Sequence, residues 1–301
     1  MIDIFTSILG VYLFIFLGFI AKTIFKEKVD EKSLVIVSIY FLQPIMAFWG
    51  LTLQKLNFTS FKAPLLYAFV IILALIFAII FSRLFFKDQK DRSIAVVTSI
   101  IGNTGNLGIP LGIAIFSQES VFYTSLINLA NVFFVYTVGV YFYSRGNFSI
   151  VDSLKNIIKL PVIWFAIFAI IFNMSGFSVP KNLLLPLEMG AYATMVLQLM
   201  IFGMYLYSIK LKVIEMKLFY FVSFMKFLFI PILGVLLLNF FDISKLMYGV
   251  VLVQLAVPLA VMNVNLASLY ECKPIYVAFL TFSTSAVFLF YIFGLVYLFN
   301  W

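Results

Sequence analysis

Two short stretches of this chain carry polar side chains and helix breakers inside otherwise apolar surroundings. The first runs Ser99-Ile-Ile-Gly102-Asn103-Thr104-Gly105-Asn106-Leu-Gly108-Ile-Pro110-Leu-Gly112, and the second Pro258-Leu-Ala-Val-Met-Asn263-Val-Asn265. Each glycine weakens a helix, and a proline removes a backbone donor and clashes with the preceding turn. In hydrocarbon, backbone freed in this way survives only inside protein or beside a cavity. Asparagine side chains can satisfy that backbone or bind a solute. Helix halves that begin beside a break present free N–H groups and a positive dipole end, which suits an anion. Asn103, Thr104, Gly105, Asn106, Pro110, Pro258, Asn263 and Asn265 are therefore candidate substrate-binding residues. The plainer alternative is two proline kinks with glycine for close helix packing.

Two more polar groups lie in apolar stretches. Lys226 follows Lys217 by nine residues, which places it about 13 Å into a core about 30 Å thick. An intramembrane charge is a functional candidate by default: it could neutralise a substrate carboxylate or act as a fixed cation. The alternative is a side chain that snorkels to the surface or meets backbone carbonyls. Gln43, before Pro44, is a candidate substrate contact, with interhelical hydrogen bonding an equal alternative. Asn128 and Asn131 follow the first break and are expected to brace it. No Asp or Glu lies deep in an apolar stretch, which argues against a carboxylate-based ion relay.

The elements that must position these groups follow from composition. Of 301 residues, 64% are hydrophobic and 11% charged, with a mean hydropathy of +1.16. A soluble domain carries about 25% charged residues, so this chain has too little polar surface to coat a globule. With no histidine and one cysteine, Cys272, it lacks the means for Ser-His hydrolysis, histidine metal sites, an internal disulfide or a thiolate cluster. Intramembrane proteolysis fails on the same inventory, lacking both histidine and paired membrane aspartates. No enzymatic activity, metal or cofactor is expected. The net charge of +8 sits in short clusters between apolar runs, not in a stripe that would bind nucleic acid.

Charge-free stretches run 4–21, 33–54, 63–82, 93–118, 120–144, 160–180, 189–209, 246–270 and 274–301, and a tenth, 218–241, is interrupted only by Lys226. Each is about the 20 residues that a spanning helix needs, so ten transmembrane helices are predicted. Fifteen of the 20 Lys and Arg fall in the odd-numbered connections and four in the even ones. The positive-inside bias then makes the odd connections cytoplasmic and puts both termini outside. Trp49, Trp164 and Trp301 fit an aromatic belt at the membrane interface.

The span starts pair at offsets of 153–156 residues: 4 with 160, 33 with 189, 63 with 218, 93 with 246 and 120 with 274. At an offset of 155, Val132-Phe133-x-x-Tyr136-x-x-Gly139 falls on Val287-Phe288-x-x-Tyr291-x-x-Gly294, and Leu42-Gln43 on Leu197-Gln198. Five spans per repeat force the second copy to insert upside down. The predicted fold is an all-α integral membrane protein of two inverted five-helix repeats, residues 1–147 and 148–301. At the same offset Asn103 falls on Pro258 and Pro110 on Asn265, so helices 4 and 9 are expected to be broken and to cross.

The run from Asn103 to Leu111 resembles the auxin efflux carrier family of membrane transporters. So do Gln43-Pro44, Lys226 with Pro231, and Pro258-x-Ala-x-x-Asn263. The similarity covers essentially the whole chain, and about fifteen residues between spans 5 and 6 match the compact bacterial branch. The resemblance implies a fold similar to sodium/proton antiporters and bile-acid symporters. It implies a scaffold of helices 1, 2, 6 and 7 and a transport domain of helices 3–5 and 8–10. Expected from it are carriage of small organic anions, dicarboxylates or auxin-like carboxylates, by an elevator-type movement, in a homodimer in a bacterial inner membrane. A passive anion channel or a non-transporting sensor is the other reading; a channel would more naturally show a continuous polar lining.

Overall fold

The computed structural model describes residues 2–144, 160–207 and 216–301. The predicted boundary between residues 147 and 148, and the cations Arg145, Lys155, Lys159, Lys210 and Lys212, lie outside the described residues. Among the described residues the backbone is helical, with no strand and one isolated antiparallel bridge, between Gly102 and Leu259.

In chain order the elements are α1 (Ile2–Phe25), α2 (Ser33–Thr52), α3 (Lys62–Phe85), α4 (Gln89–Ile100), α5 (Gly108–Phe116) and α6 (Ser120–Tyr143). Then follow α7 (Pro161–Met174), α8 (Lys181–Tyr207), α9 (Met216–Leu238), α10 (Lys245–Ala256), α11 (Met262–Leu269) and α12 (Pro274–Phe299). Seven of these, α1, α2, α3, α6, α8, α9 and α12, are long and apolar enough to cross a membrane. The other three predicted spans are built differently. Span 6 is α7, whose 14 residues rise about 21 Å, short of a core about 30 Å thick. Spans 4 and 9 are pairs of short helices, α4 with α5 and α10 with α11, each pair separated by non-helical backbone.

Three of the long helices contain a π turn: Ser38–Leu42 in α2, Val135–Gly139 in α6 and Met225–Phe229 in α9. Two have a visible cause. Pro44 cannot donate to the carbonyl four residues back and its ring crowds that carbonyl; the same holds for Pro231. Widening the preceding turn relieves the crowding.

The largest apolar core joins α3, α4, α6, α9, α10, α11 and α12, with Tyr67, Val70, Ile94, Val97, Tyr143 and Val251 fully buried. α1 lies instead on α8, and the approach is closest at Gly18 and Gly203. A Cβ on Gly18 would collide with the Met200 carbonyl, and one on Gly203 with the Ile15 carbonyl. Small residues let helix backbones touch where no hydrophobic drive separates lipid from protein. α7 packs on α2 through Phe48, stacked on Phe168 at 5.6 Å. The Asn173 amide closes that pair by donating to the carbonyls of Leu51 (2.8 Å) and Gln54 (2.7 Å). Trp49 departs from the predicted belt: it is 2% exposed, packed against Tyr192 inside the bundle.

At the basic end, Asp88 caps α4 by accepting from the Asp91 N–H (3.0 Å). That bond, with the Lys273 ammonium beside it at 3.3 Å, holds the Asp88 carboxyl below the usual carboxylate range. Lys273 also pairs with Asp91, and the Lys90 ammonium donates to the Glu271 carbonyl (2.9 Å), so the start of α4 is tied to the start of α12.

Gly203→Leu should therefore cost about 3 kcal/mol or more by driving α1 off α8. Gly10→Ala, with nothing within 4 Å of its Cβ position, should change little. Thermal unfolding of the purified protein in detergent compares them; equal melting temperatures would remove the close approach from the account.

Candidate functional site

α4 ends at Ile100 and α10 at Ala256, and the two chains then run past one another extended and antiparallel. Val257 precedes a proline, which biases it to extended backbone; its ψ is 146°. The breaks satisfy each other. The Asn103 N–H donates to the Pro258 carbonyl (2.8 Å), and the Ala260 N–H to the Ile101 carbonyl (3.3 Å). Pro110 lies in the first turn of α5, where its missing donor costs nothing; the break itself is upstream, at residues 101–107.

Two asparagines clamp the crossing from outside. Asn131 of α6 donates its amide to the Gly102 carbonyl (2.9 Å) and accepts from the Tyr67 hydroxyl (3.0 Å). Asn263 of α11 donates to the carbonyls of Ile101 (3.2 Å) and Ala260 (3.0 Å) and accepts from the Tyr143 hydroxyl (3.3 Å). Both tyrosines are fully buried, so each clamp is itself held. A third bond fixes the loop into α5: the Thr104 hydroxyl donates to the Asn128 carboxamide oxygen (2.9 Å).

A cavity of about 110 Å³ lies against this crossing. Of the sequence-derived candidates, Gln43, Asn103, Thr104, Gly105, Asn106 and Asn265 line it together. Pro110, Pro258, Asn263 and Lys226 are buried but do not line it. The opposite wall comes from α2, α7 and α8, including Ser38, Gln198 and Tyr205; Tyr205 is within hydrogen-bonding reach of Asn265. Three of the lining polar atoms are buried without a hydrogen-bond partner among the described residues: Asn103 Nδ2, Ser38 Oγ and Gln198 Oε1. A buried polar group without a partner costs about 1–3 kcal/mol, so such atoms converging on one cavity make it the candidate site for a polar ligand or ordered water.

Ser38, Tyr136 and Tyr205 were not foreseen. Ser38 and Tyr136 sit within π turns, whose widened backbone changes the face a side chain presents, and such turns recur at functional sites. Pro44 inside an apolar run was the available signal for the first. Lys226 sits in the third π turn, 0% exposed, so it does not snorkel; its Nζ has no hydrogen-bond partner among the described residues. The half of the α2–α8 interface away from the basic end is shut by Met46, Trp49, Ile109, Val121, Ala191 and Met195.

These placements separate side chains that hold the crossing's carbonyls from Gln43, which lines the cavity and holds none of them. Asn131→Ala and Asn263→Ala each strip carbonyls of their donor and should cost about 1–3 kcal/mol, while half-buried Gln43→Ala should stay within about 0.5 kcal/mol. Thermal unfolding orders the three; a loss at Gln43 as large as at the two asparagines would contradict the assignment.

Residues 3–153 match the family described as membrane transport protein. An uncharacterized transporter of Methanocaldococcus jannaschii is 28% identical over 280 residues, covering 88% of each chain.

Proposed function

The chain belongs to the membrane transport protein family, and from that premise we propose that it is a secondary carrier for small organic anions. One observation carries this reading: the bare Asn103 amide, 3% exposed, faces the cavity at the meeting of two broken helices. α5 and α11 both start beside that cavity, so two positive helix ends and an uncommitted N–H donor converge there. A carboxylate offers the acceptors that such a set lacks.

The proposed mechanism is alternating access with an elevator-type shift. The breaks pair Asn103 with Pro258, the two positions related by the 155-residue offset, and this supports inverted repeats with ten passes. α1, α2, α7 and α8 would form the scaffold, and the elements of the largest core the moving domain. The cavity draws on the halves of α2, α6 and α8 nearest the basic ends and is shut beyond them, which fits an inward-facing state. Under the same reading both termini lie outside, the protein resides in a bacterial inner membrane, and two scaffolds can pair as a homodimer. Gln43 and Gln198, repeat mates on the scaffold, would face the substrate across the interface.

The test is counterflow in proteoliposomes with radiolabelled malonate, malate and indole-3-acetate. Saturable uptake stimulated by the same anion inside is expected, since a carrier exchanges and a channel does not. Asn103→Ala should lower that flux at least about tenfold, the loss of a charge-assisted hydrogen bond, while eluting as a folded protein on gel filtration. Flux of the folded variant at the wild-type rate would take the first break out of the mechanism.

A further inference from the structure

A second cleft, of about 520 Å³, opens at the basic end of the bundle and shares no lining residue with the cavity at the crossing. It lies between the end of α3, the start of α4 and the last turn of α6. Arg83 of α3 lines it together with Gln89 and Arg92 of α4, and Ser82 and Ser93 stand beside them. No Asp or Glu belongs to its wall among the described residues. The acids nearest in sequence, Asp88 and Asp91, are both taken by Lys273. Neither arginine has an ion pair among the described residues, so two positive charges share the cleft with no counter-charge in its wall.

Arg92 is also oriented. Its Nε donates to the Phe86 carbonyl (2.7 Å), which ties it to the α3–α4 connection and leaves both terminal nitrogens without a partner among the described residues. A guanidinium anchored in this way presents a planar fork of N–H donors that matches two phosphate oxygens. Cations kept only to orient helices need neither a cleft nor a fork, and lysine serves that bias equally. The remaining wall is apolar or aromatic: Ile79, Val96, Tyr141 and Phe142. Beside it Ile76, Ile80 and Leu84 recur at four-residue spacing on the exposed face of α3, an apolar track that ends next to Arg83.

We propose that this cleft seats the headgroup of an anionic phospholipid. Its phosphodiester meets Arg83 and Arg92, and an acyl chain lies along the α3 track. A free anion would use the polar half of the site and leave the apolar half empty. A zwitterionic lipid would bring its own ammonium among two unpaired arginines. Basic pockets between transmembrane helices select acidic headgroups on this ground. The bound lipid joins the ends of α3, α4 and α6, three helices of the largest core. The assignment stands apart from the carrier reading and does not require it.

The experiment measures lipid binding to the purified full chain in detergent by native mass spectrometry. Phosphatidylglycerol is the anionic probe, phosphatidylcholine the zwitterionic one, and millimolar inorganic phosphate the competitor. Phosphatidylglycerol should bind at least about tenfold more tightly than phosphatidylcholine, and Arg83→Gln and Arg92→Gln should each weaken it about fivefold. Arg92→Lys, which keeps the charge and loses the fork, should fall between Arg92→Gln and the wild type. Lys87→Gln removes an exposed cation of the same connection that does not line the cleft, and should leave binding unchanged. Phosphate should not displace the lipid. If Arg92→Gln does not fold, Arg83→Gln decides, because that side chain is exposed and has no ion pair to lose among the described residues. Equal binding of the two lipids, or a loss at Lys87→Gln as large as at the arginines, would reduce the site to general surface attraction and overturn the proposal. Displacement by phosphate would make it a free-anion site and overturn the assignment to lipid.

Discussion

Everything around the cavity depends on one constraint: backbone that leaves the helix inside an apolar bundle must find partners there. The chain meets it by placing its two breaks against each other. The bonds from Asn103 to Pro258 and from Ala260 to Ile101 turn two local defects into a short antiparallel pair. Neither break is satisfied without the other, which couples two halves of the sequence about 155 residues apart. The carbonyls left over are taken by Asn131 and Asn263, whose own oxygens are held by Tyr67 and Tyr143.

Satisfaction is not complete, and where it stops is informative. The backbone of Asn103 is committed on both sides, donating to Pro258 and accepting from Gly108 N–H at 2.9 Å, yet its side-chain amide has no partner. The residue is thus pinned by its main chain and free at its tip. That division suits a binding group, because the backbone geometry is fixed before a ligand arrives and only the side-chain tip has to be ordered on binding. On the opposite wall Ser38 Oγ and Gln198 Oε1 are likewise buried without a partner among the described residues, the first a hydroxyl and the second an acceptor.

Breaks and bulges divide the labour of shaping the bundle. The breaks bring four short helices to the crossing with their ends exposed to it. The π turns rotate Ser38 and Tyr136 toward the cavity and Lys226 toward the crossing, without ending the helices that carry them. Gly18 and Gly203 bring α1 and α8 into backbone contact away from the cavity, and Phe48 with Phe168 does the same work by ring stacking between α2 and α7.

The apolar runs, the punctuation by Lys and Arg, and the two Asn-bearing breaks were legible in the sequence because they follow from hydropathy and backbone chemistry alone. So were the membrane class, the membership shown by the family match, and six residues that share the cavity. What the sequence could not give was the direction of each polar tip. Asn103 and Asn263 are the same residue type in matching breaks, yet one faces a cavity and the other is consumed by carbonyls. Trp49 reads as a membrane anchor and packs inside the bundle, while Lys226, a functional candidate for which the sequence left a snorkelling side chain as the alternative, ends buried beside Gly102. Hydropathy and helix breaking are local and were determined by the sequence itself. Which donor meets which carbonyl depends on chains brought together from distant positions, and only the tertiary structure decided it.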